Sequence, residues 1–320
     1  MTWLSGIVDY RKAEEILERV GQIPVSHSSI RRQVQEWGAE FKAIAEEERL
    51  RASVQQGRWG GPCRGTETKG RMGVAMDGSM LYILGEGWKE LKIGCVFDVE
   101  VHPTLDRETG DRVELARAVN NSYAAHLGGP ETLGEMVWAE AARRNWEQAE
   151  ETEVIGDGAS WIWNLAADLF YDSHQVVDWF HATEHLAETA RILKGEETLA
   201  ATRWFNSRET MLYEGHAARI AQELMKAAQK RPTIAEALKK EAGYLTNNQR
   251  RMNYQELRED GWAIGSGMVE SAAKQFKTRF TGPGMRWSRD GAERLIPVRA
   301  AIMGKRFDEL WRTAYNSPQN

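Results

Sequence analysis

The chain has 320 residues, enough for one large hydrophobic core or two smaller ones, and its start lacks the segments of a signal peptide. It also lacks a run of about 18 apolar residues, so we expect a cytoplasmic protein rather than a membrane-spanning one. The two cysteines, Cys63 and Cys95, form no CxxC pair, which argues against a disulfide framework or a cysteine zinc site. The net charge of −5 hides a segment at 271–312 with ten Lys and Arg against four Asp and Glu, which suits either phosphate contact or a solvated face.

The first fifty residues have the pattern of two helices joined by a short connection. An apolar stripe at i, i+3, i+4 and i+7 runs from Ala13 to Val20, and a second stripe runs from Ile30 to Ile44 after a serine cluster that offers N-cap oxygens. This pattern fits a helix-turn-helix whose second helix begins with exposed DNA-binding residues, and it fits a helical hairpin or a dimerisation arm equally well. The residues expected to contact DNA are Arg31 and Arg32.

The middle of the chain alternates between strand and helix patterns. Residues 55–70 are rich in Gly and charge and predict a linker. Strands are then predicted at 72–76, at 89–101, at Val154 and Ile155, and at Val176 and Val177, with a helix that begins at Pro130. This alternation predicts an α/β region. From about 182 to 253 the pattern is helical, and a last amphipathic helix begins near Ser266.

Two aspartates occur in matching contexts, Asp77 in GVAMDGS and Asp157 in EVIGDGAS. Each is expected to end an apolar strand and to precede a Gly that lets a ligand approach the backbone. Ligands usually bind at the carboxyl ends of strands, so the repeated pattern favours a shared site. An Asp-Gly pair alone is more commonly a turn.

A third acid, Glu270, lies on the last amphipathic helix, whose predicted buried stripe runs from Val269 to Phe280. Lys274 and Lys277 follow Glu270 at i+4 and i+7, on a face beside that stripe. An acid and two lysines aligned in this way can hold a metal ion next to phosphate groups. A plain surface ion pair between Glu270 and Lys274 is the alternative.

Asp178 is expected to end the strand at Val176 and Val177, with His181 in the first turn of the helix that follows. The two residues form either a structural N-cap or a pair that supports a metal site.

The same segment generates a rival prediction of another class. His181, Glu184 and His185 fit the HxxEH pattern of inverted zinc peptidases, with Glu209 or Glu214 as a third ligand. Short patterns of this kind arise by chance, and the zinc prediction leaves the three carboxylates without a role.

Trp287 stands between Arg286 and Arg289 in the basic segment. An exposed Trp there would stack on a DNA base while the arginines contact phosphate, and a buried core Trp is the alternative.

Four blocks in the C-terminal third, together with the aspartate blocks, resemble a known family. They are YLTNNQRRMNY (Tyr244–Tyr254), WAIGSGMVESAAK (Trp262–Lys274), GMRWS (Gly284–Ser288) and KRFDELW (Lys305–Trp311). With MDGS, GDGASW and VVDWFHATEHL, they make the chain similar to bacterial insertion-sequence transposases of the ISKra type, relatives of the Mutator-like DDE transposases. The resemblance runs from about Ile16 to Trp311.

This resemblance implies an RNase H-like mixed-sheet core, with Asp77 on the first strand, Asp157 on the fourth and Glu270 on a late helix. Asp178 and His181 would match the family's supporting Asp-x-x-His pair. The organisation implied is an N-terminal helical segment at 1–54, a linker at 55–70, the first part of the core at 71–181, an all-helical insertion at 182–261, and the final Glu-bearing helix with basic helices at 262–320.

The implied chemistry is metal-dependent DNA strand cleavage and strand transfer. Hard cations such as Mg²⁺ or Mn²⁺ prefer oxygen ligands, so Asp77, Asp157 and Glu270 are expected to hold two ions. The expected partners are transposon ends and target DNA in the bacterial nucleoid, and a homo-oligomer is expected because two ends must be joined. Family members usually have a longer amino-terminal region with a cysteine-rich zinc segment. The alternative is therefore a truncated or domesticated copy, or one frame of a split gene, that binds DNA without transposing it.

Overall fold

The structure is a computed structural model that describes residues 1–56, 70–105, 112–282 and 284–316. Its α-helices are α1 Thr2–Ile7, α2 Tyr10–Arg19, α3 His27–Gln56, α4 Pro130–Arg143, α5 Ser160–Leu169, α6 Trp179–Lys194, α7 Leu199–Tyr213, α8 Ala217–Lys230, α9 Ala235–Asn248, α10 Tyr254–Glu259, α11 Gly267–Phe280, α12 Arg289–Met303 and α13 Phe307–Asn316. Its strands are β1 Met72–Ile83, β2 Gly87–Leu105, β3 Arg112–Leu127, β4 Thr152–Gly156 and β5 His174–Val177. Most of the predicted linker, with Cys63, lies outside the described residues.

The strands form a mixed sheet in the order β3-β2-β1-β4-β5. Strands β1 and β2 are antiparallel, whereas β4 and β5 are parallel. The predicted α/β class with a mixed sheet is therefore confirmed.

Asp77 does not end its strand, so that part of the prediction is wrong. Strand β1 continues for six residues beyond Asp77, which lies opposite Ile93 of β2. Residues 79–83 pair with residues 87–91, and a tight connection joins the strands at Gly85, whose φ of +80° is one that glycine adopts without strain. A hairpin therefore extends β1, because its outer half finds hydrogen-bond partners immediately downstream in the chain.

The chain divides into two compact units. The first contains 1–98, 119–151 and 267–320, and the second contains 99–118 and 152–266. In the first unit, α3 packs against α4 and α12. Aromatic side chains fill part of this core, where Phe41 lies against Phe307 and Trp37 against Trp311.

The N-terminal helices confirm the predicted pair and extend it. Asp9 caps α2 by accepting hydrogen bonds from the backbone N–H groups of Arg11 and Lys12. Ile30, in the stripe of α3, is fully buried. Val20 was expected in the stripe of the first helix, but it is 81% exposed because α2 ends one residue earlier. The sequence patterns did not predict α1.

The second unit holds β4 and β5 with the helices α5–α10. Helices α8 and α9 pack together, and their buried residues include Ile220, Leu224, Leu238 and Leu245. The predicted helical stretch is confirmed, although α7 was not expected as a separate helix. No helix within the described ranges has both the length and the apolar character needed to cross a bilayer.

Candidate metal centre

Asp157 and Asp178 leave the sheet at neighbouring positions. Gly156 of β4 pairs with Val177 of the parallel strand β5, and each aspartate is the residue that follows. The backbone N–H of Asp178 donates to the carbonyl of Gly156 over 2.8 Å. Parallel strands end at the same edge of a sheet, so the second unit presents two carboxylates where α/β proteins usually bind ligands.

Asp157 begins a tight turn that leads into α5. Gly158 has a φ of +101°, which glycine tolerates and other residues rarely adopt. The carboxylate Oδ1 of Asp157 accepts a hydrogen bond of 2.8 Å from the backbone N–H of Ala159. The direction of this carboxylate is therefore tied to the backbone of its own turn.

Asp178 is fully buried and caps α6, which confirms the N-cap interpretation. Its Oδ1 accepts from the backbone N–H of His181 over 2.8 Å and from the His181 ring over 3.1 Å. Its Oδ2 accepts from the backbone N–H of Ser266. Burial alone would raise the pKa of Asp178, but the hydrogen bonds from His181 and Ser266 outweigh it and hold the pKa below its ordinary value.

His181 lies beside these carboxylates and is positively charged at neutral pH. Its hydrogen bond to Asp178 raises its pKa to about 9, and the negative charges of Asp157 and Glu184 add to the rise. A protonated imidazole offers no lone pair to a metal ion. In this state His181 contributes charge rather than a ligand atom.

Glu270 lies in the first turn of α11, in the first unit. The predicted stripe is confirmed, because Val269 and Phe280 are buried. The Nζ of Lys274 lies 3.7 Å from Glu270 Oε2, so the surface ion pair is present as well. Lys274 and Lys277 are both exposed.

Asp77 also belongs to the first unit, where α11 packs against β1. Its Oδ1 accepts a hydrogen bond of 2.7 Å from the backbone N–H of Gly78. The alternation of β1 places Asp77 on the same strand face as Leu81 and Ile83, both of which are buried.

The side chains considered as metal ligands belong to both units: Asp178 and His181 to the second, and Glu270 to the first. The Asp178 carboxylate accepts hydrogen bonds from His181 and from Ser266, and these use part of its lone-pair capacity. The set Asp77, Asp157 and Glu270 stays a prediction.

The HxxEH segment has other contacts than those of a zinc site. The ring Nδ1 of His185 donates to Glu241 over 2.6 Å, and the His185 ring stacks on Tyr244 with 3.6 Å between ring centroids. Among the described residues, no group that could hold a metal ion includes Glu184, His185 or the proposed third ligands Glu209 and Glu214.

Trp287 is buried, so the prediction of an exposed base-stacking Trp is wrong and the core alternative is confirmed. It is 7% exposed, its indole N–H donates to the carbonyl of Phe280 over 2.8 Å, and its ring packs on Phe280 and Tyr10. A signal for this burial is present in the sequence. Trp287 immediately precedes Ser288, the N-cap of α12, and an apolar residue at that position commonly packs inward.

The cations predicted to contact DNA are in different environments. Arg31, Arg32 and Arg286 are exposed. Arg289 is paired with Glu86 at 2.6 Å and with Glu293 at 3.2 Å, which leaves its guanidinium less available to phosphate.

Two residues near the aspartates were not predicted. Tyr244 of α9 donates from its hydroxyl to the backbone carbonyl of Asp157 over 2.9 Å. Burial raises the pKa of Tyr244, and the charges of Asp157 and Asp178 raise it further, so the hydroxyl stays protonated and can donate. Glu241, one turn earlier on α9, is buried at 4% exposure and holds His185. No pattern within α9 identifies these contacts, because their partners lie far away in the sequence.

No protein-family model matches the chain, and no curated protein matches it.

Proposed function

We propose that this protein is a metal-dependent enzyme that cuts and joins DNA, of the DDE transposase class that its sequence resembles. The observation that carries the proposal is the adjacent placement of Asp157 and Asp178 at the carboxyl ends of β4 and β5. A mixed sheet with an antiparallel hairpin at β1 and β2 and a parallel pair at β4 and β5 is compatible with an RNase H-like core.

The proposed ligands are Asp77, Asp157 and Glu270, which would hold two Mg²⁺ or Mn²⁺ ions through carboxylate oxygens. Bound ions would stabilise the attacking and leaving oxygens of an in-line displacement at phosphorus. Asp157 fits this role, since within the described residues its carboxylate accepts one hydrogen bond, from Ala159, and keeps other lone pairs for a cation.

Asp178 and His181 are proposed to support the site rather than to hold the ions. Asp178 orients His181 through the N-cap and the ring hydrogen bond. It also binds the backbone of Ser266, and α11 begins at the next residue. Glu270 lies three residues after the start of α11. The backbone N–H of Ser266, which Asp178 binds, is therefore about one helical turn before the proposed ligand along the chain.

DNA is the proposed partner, with exposed cations as its phosphate contacts. Lys274 and Lys277 follow Glu270 along α11 and would bind the phosphates that flank the reacting one. The remaining proposed contacts are Arg31, Arg32, Arg286 and, more weakly because of its ion pairs, Arg289. A homo-oligomer is proposed because strand transfer joins two DNA ends.

The test is cleavage and joining of DNA that carries the inverted repeats flanking the gene, with Mg²⁺ or Mn²⁺. We expect Asp77→Asn, Asp157→Asn and Glu270→Gln each to abolish cleavage and joining while DNA binding in chelator survives. Asp172→Asn is the matched control, because Asp172 is an exposed acid in the second unit and should retain full activity.

Normal strand transfer by Asp77→Asn or Asp157→Asn would contradict the proposal. A wild-type protein that binds the repeats but never cuts them would instead favour the truncated or domesticated DNA-binding protein. Metal-dependent hydrolysis of a peptide substrate that Glu184→Gln abolishes would favour the zinc peptidase.

A further inference from the structure

Three side chains in the second unit form a connected series that ends at the Asp157 turn. Glu241 of α9 is buried and accepts a hydrogen bond of 2.6 Å from the His185 ring of α6. The His185 ring stacks on Tyr244 with an angle of 21° between the two planes. The Tyr244 hydroxyl donates to the backbone carbonyl of Asp157 over 2.9 Å. The proposed chemistry uses none of these three side chains.

The Tyr244 ring also packs directly on the turn. A Cβ added at Gly158 would lie 2.6 Å from Cε2 of Tyr244, which is closer than real atoms approach. Asn248, one turn along α9, donates to the backbone carbonyl of Tyr244 over 3.1 Å. The ring therefore covers Gly158 while its hydroxyl holds the peptide that follows Asp157.

These contacts bear on the direction of the Asp157 carboxylate. Its Oδ1 accepts from the backbone N–H of Ala159, so rotation of the peptides in the turn would turn the carboxylate as well. The turn itself resists such rotation less at Gly158 than elsewhere, because glycine has no side chain to restrict its backbone. An external hydrogen bond to the Asp157 carbonyl supplies that restraint.

We propose that Tyr244 is a positioning residue that fixes the Asp157 carboxylate in the direction required for a divalent cation, and that His185 and Glu241 hold the Tyr244 ring on the turn. This inference rests on the proposed function, in which Asp157 is a metal ligand. It also gives the second His of the HxxEH segment a role that needs no zinc.

The Tyr244 hydroxyl can be removed without disturbing the packing of α9. The apolar residues that join α9 to its neighbours include Leu238, Ala242 and Leu245, all of them buried. Tyr244→Phe keeps the ring, the stack on His185 and these contacts, and it deletes the hydrogen bond to Asp157 alone. A purely structural role for Tyr244 would leave metal affinity unchanged in this variant.

The experiment measures Mn²⁺ binding to the full chain without DNA, from the electron paramagnetic resonance signal of the free ion. We expect wild type to bind Mn²⁺, Asp157→Asn to lose at least one site, and Tyr244→Phe to bind about tenfold more weakly, the effect typical of residues that orient a ligand. The unfolding temperature of Tyr244→Phe should lie no more than about 4 °C below that of wild type. Tyr254→Phe is the matched control and should bind as wild type does, because the buried Tyr254 hydroxyl has no hydrogen-bond partner among the described residues.

The outcomes separate the two proposals. Wild type that fails to bind Mn²⁺, or Asp157→Asn that binds as well as wild type, would overturn the proposed metal site and this inference with it. Loss of binding in Asp157→Asn with unchanged affinity in Tyr244→Phe would overturn the positioning role alone. His185→Leu, which removes the bond to Glu241 as well as the aromatic stack, should weaken binding in the same direction, and unchanged affinity would refute the part assigned to His185 and Glu241.

Discussion

Replacing Asp178 with Asn should destabilise the second unit even though the two side chains have the same shape. Asn keeps one acceptor oxygen and caps a helix about as well as Asp, so the bond from the His181 N–H can survive. The other position becomes an amide nitrogen that faces the N–H of Ser266, donor against donor. A lost hydrogen bond to a charged group costs about 1.5–3 kcal/mol, and His181 also loses its anionic partner. We therefore expect the free energy of unfolding to fall by about 2–3 kcal/mol.

The assay is urea unfolding followed by circular dichroism, with chelator present so that metal binding does not contribute. Asp9→Asn is the matched control, because within the described residues the hydrogen bonds to the Asp9 side chain come from the two backbone N–H groups that it caps. We expect Asp9→Asn to change the free energy of unfolding by less than about 0.5 kcal/mol. If Asp178→Asn is as stable as Asp9→Asn, the Ser266 contact does not contribute and the reasoning fails.

Three further predictions concern the first unit. Trp287→Phe should lower the free energy of unfolding by about 2 kcal/mol, because the indole hydrogen bond and buried volume are lost. Trp88→Phe is the control: the Trp88 side chain is 62% exposed, and the free energy of unfolding should change by less than about 0.5 kcal/mol. Equal effects of the two variants in urea unfolding would contradict the burial of Trp287. Burial lowers the pKa of His126 in the folded protein from its ordinary value of 6.5, so the unfolded chain binds a proton at a higher pH than the folded protein does. The free energy of unfolding should therefore fall as the pH drops from 6.5 through the lower pKa of the folded protein. His126→Gln should reduce that fall in urea unfolding at several pH values, and an unchanged pH dependence would contradict the prediction. If the proposed function is correct, Lys274→Gln combined with Lys277→Gln should reduce the salt dependence of DNA binding, measured by fluorescence anisotropy, by a slope of roughly two, and an unaltered slope would remove these lysines from the DNA surface.

The parts of the site that sequence patterns could predict are those determined by neighbours in the chain. The N-cap alternative for Asp178 followed from a strand that ends and a helix that begins within a few residues, and the structure has that cap. The buried face of α11 was readable from its 3.6-residue period, which left Glu270 on an adjoining face. Short apolar runs followed by Asp located the ends of β4 and β5.

The parts that escaped prediction depend on distant residues. Asp77 was predicted to end a strand because it follows the apolar run at 72–76, but pairing with residues 87–92 carries β1 through it. Strand β3 lacks a long apolar run and owes its conformation to its neighbour in the sheet. The bond between Tyr244 and Asp157 joins residues 87 positions apart, and no local period encodes such a contact.

The length of α3 has a mechanical consequence. At 30 residues it is a rod of about 45 Å, and along that rod it packs against α2, α4, α12 and α13. Arg31 and Arg32 lie near the start of α3. A ligand bound by them would therefore be bound to the first unit itself. If the proposed function is correct, a DNA duplex bound by those arginines would be held in a fixed orientation relative to Asp77 and Glu270. Adding or deleting a base pair between the bound site and the cut site would then move the break to a neighbouring position in the DNA sequence.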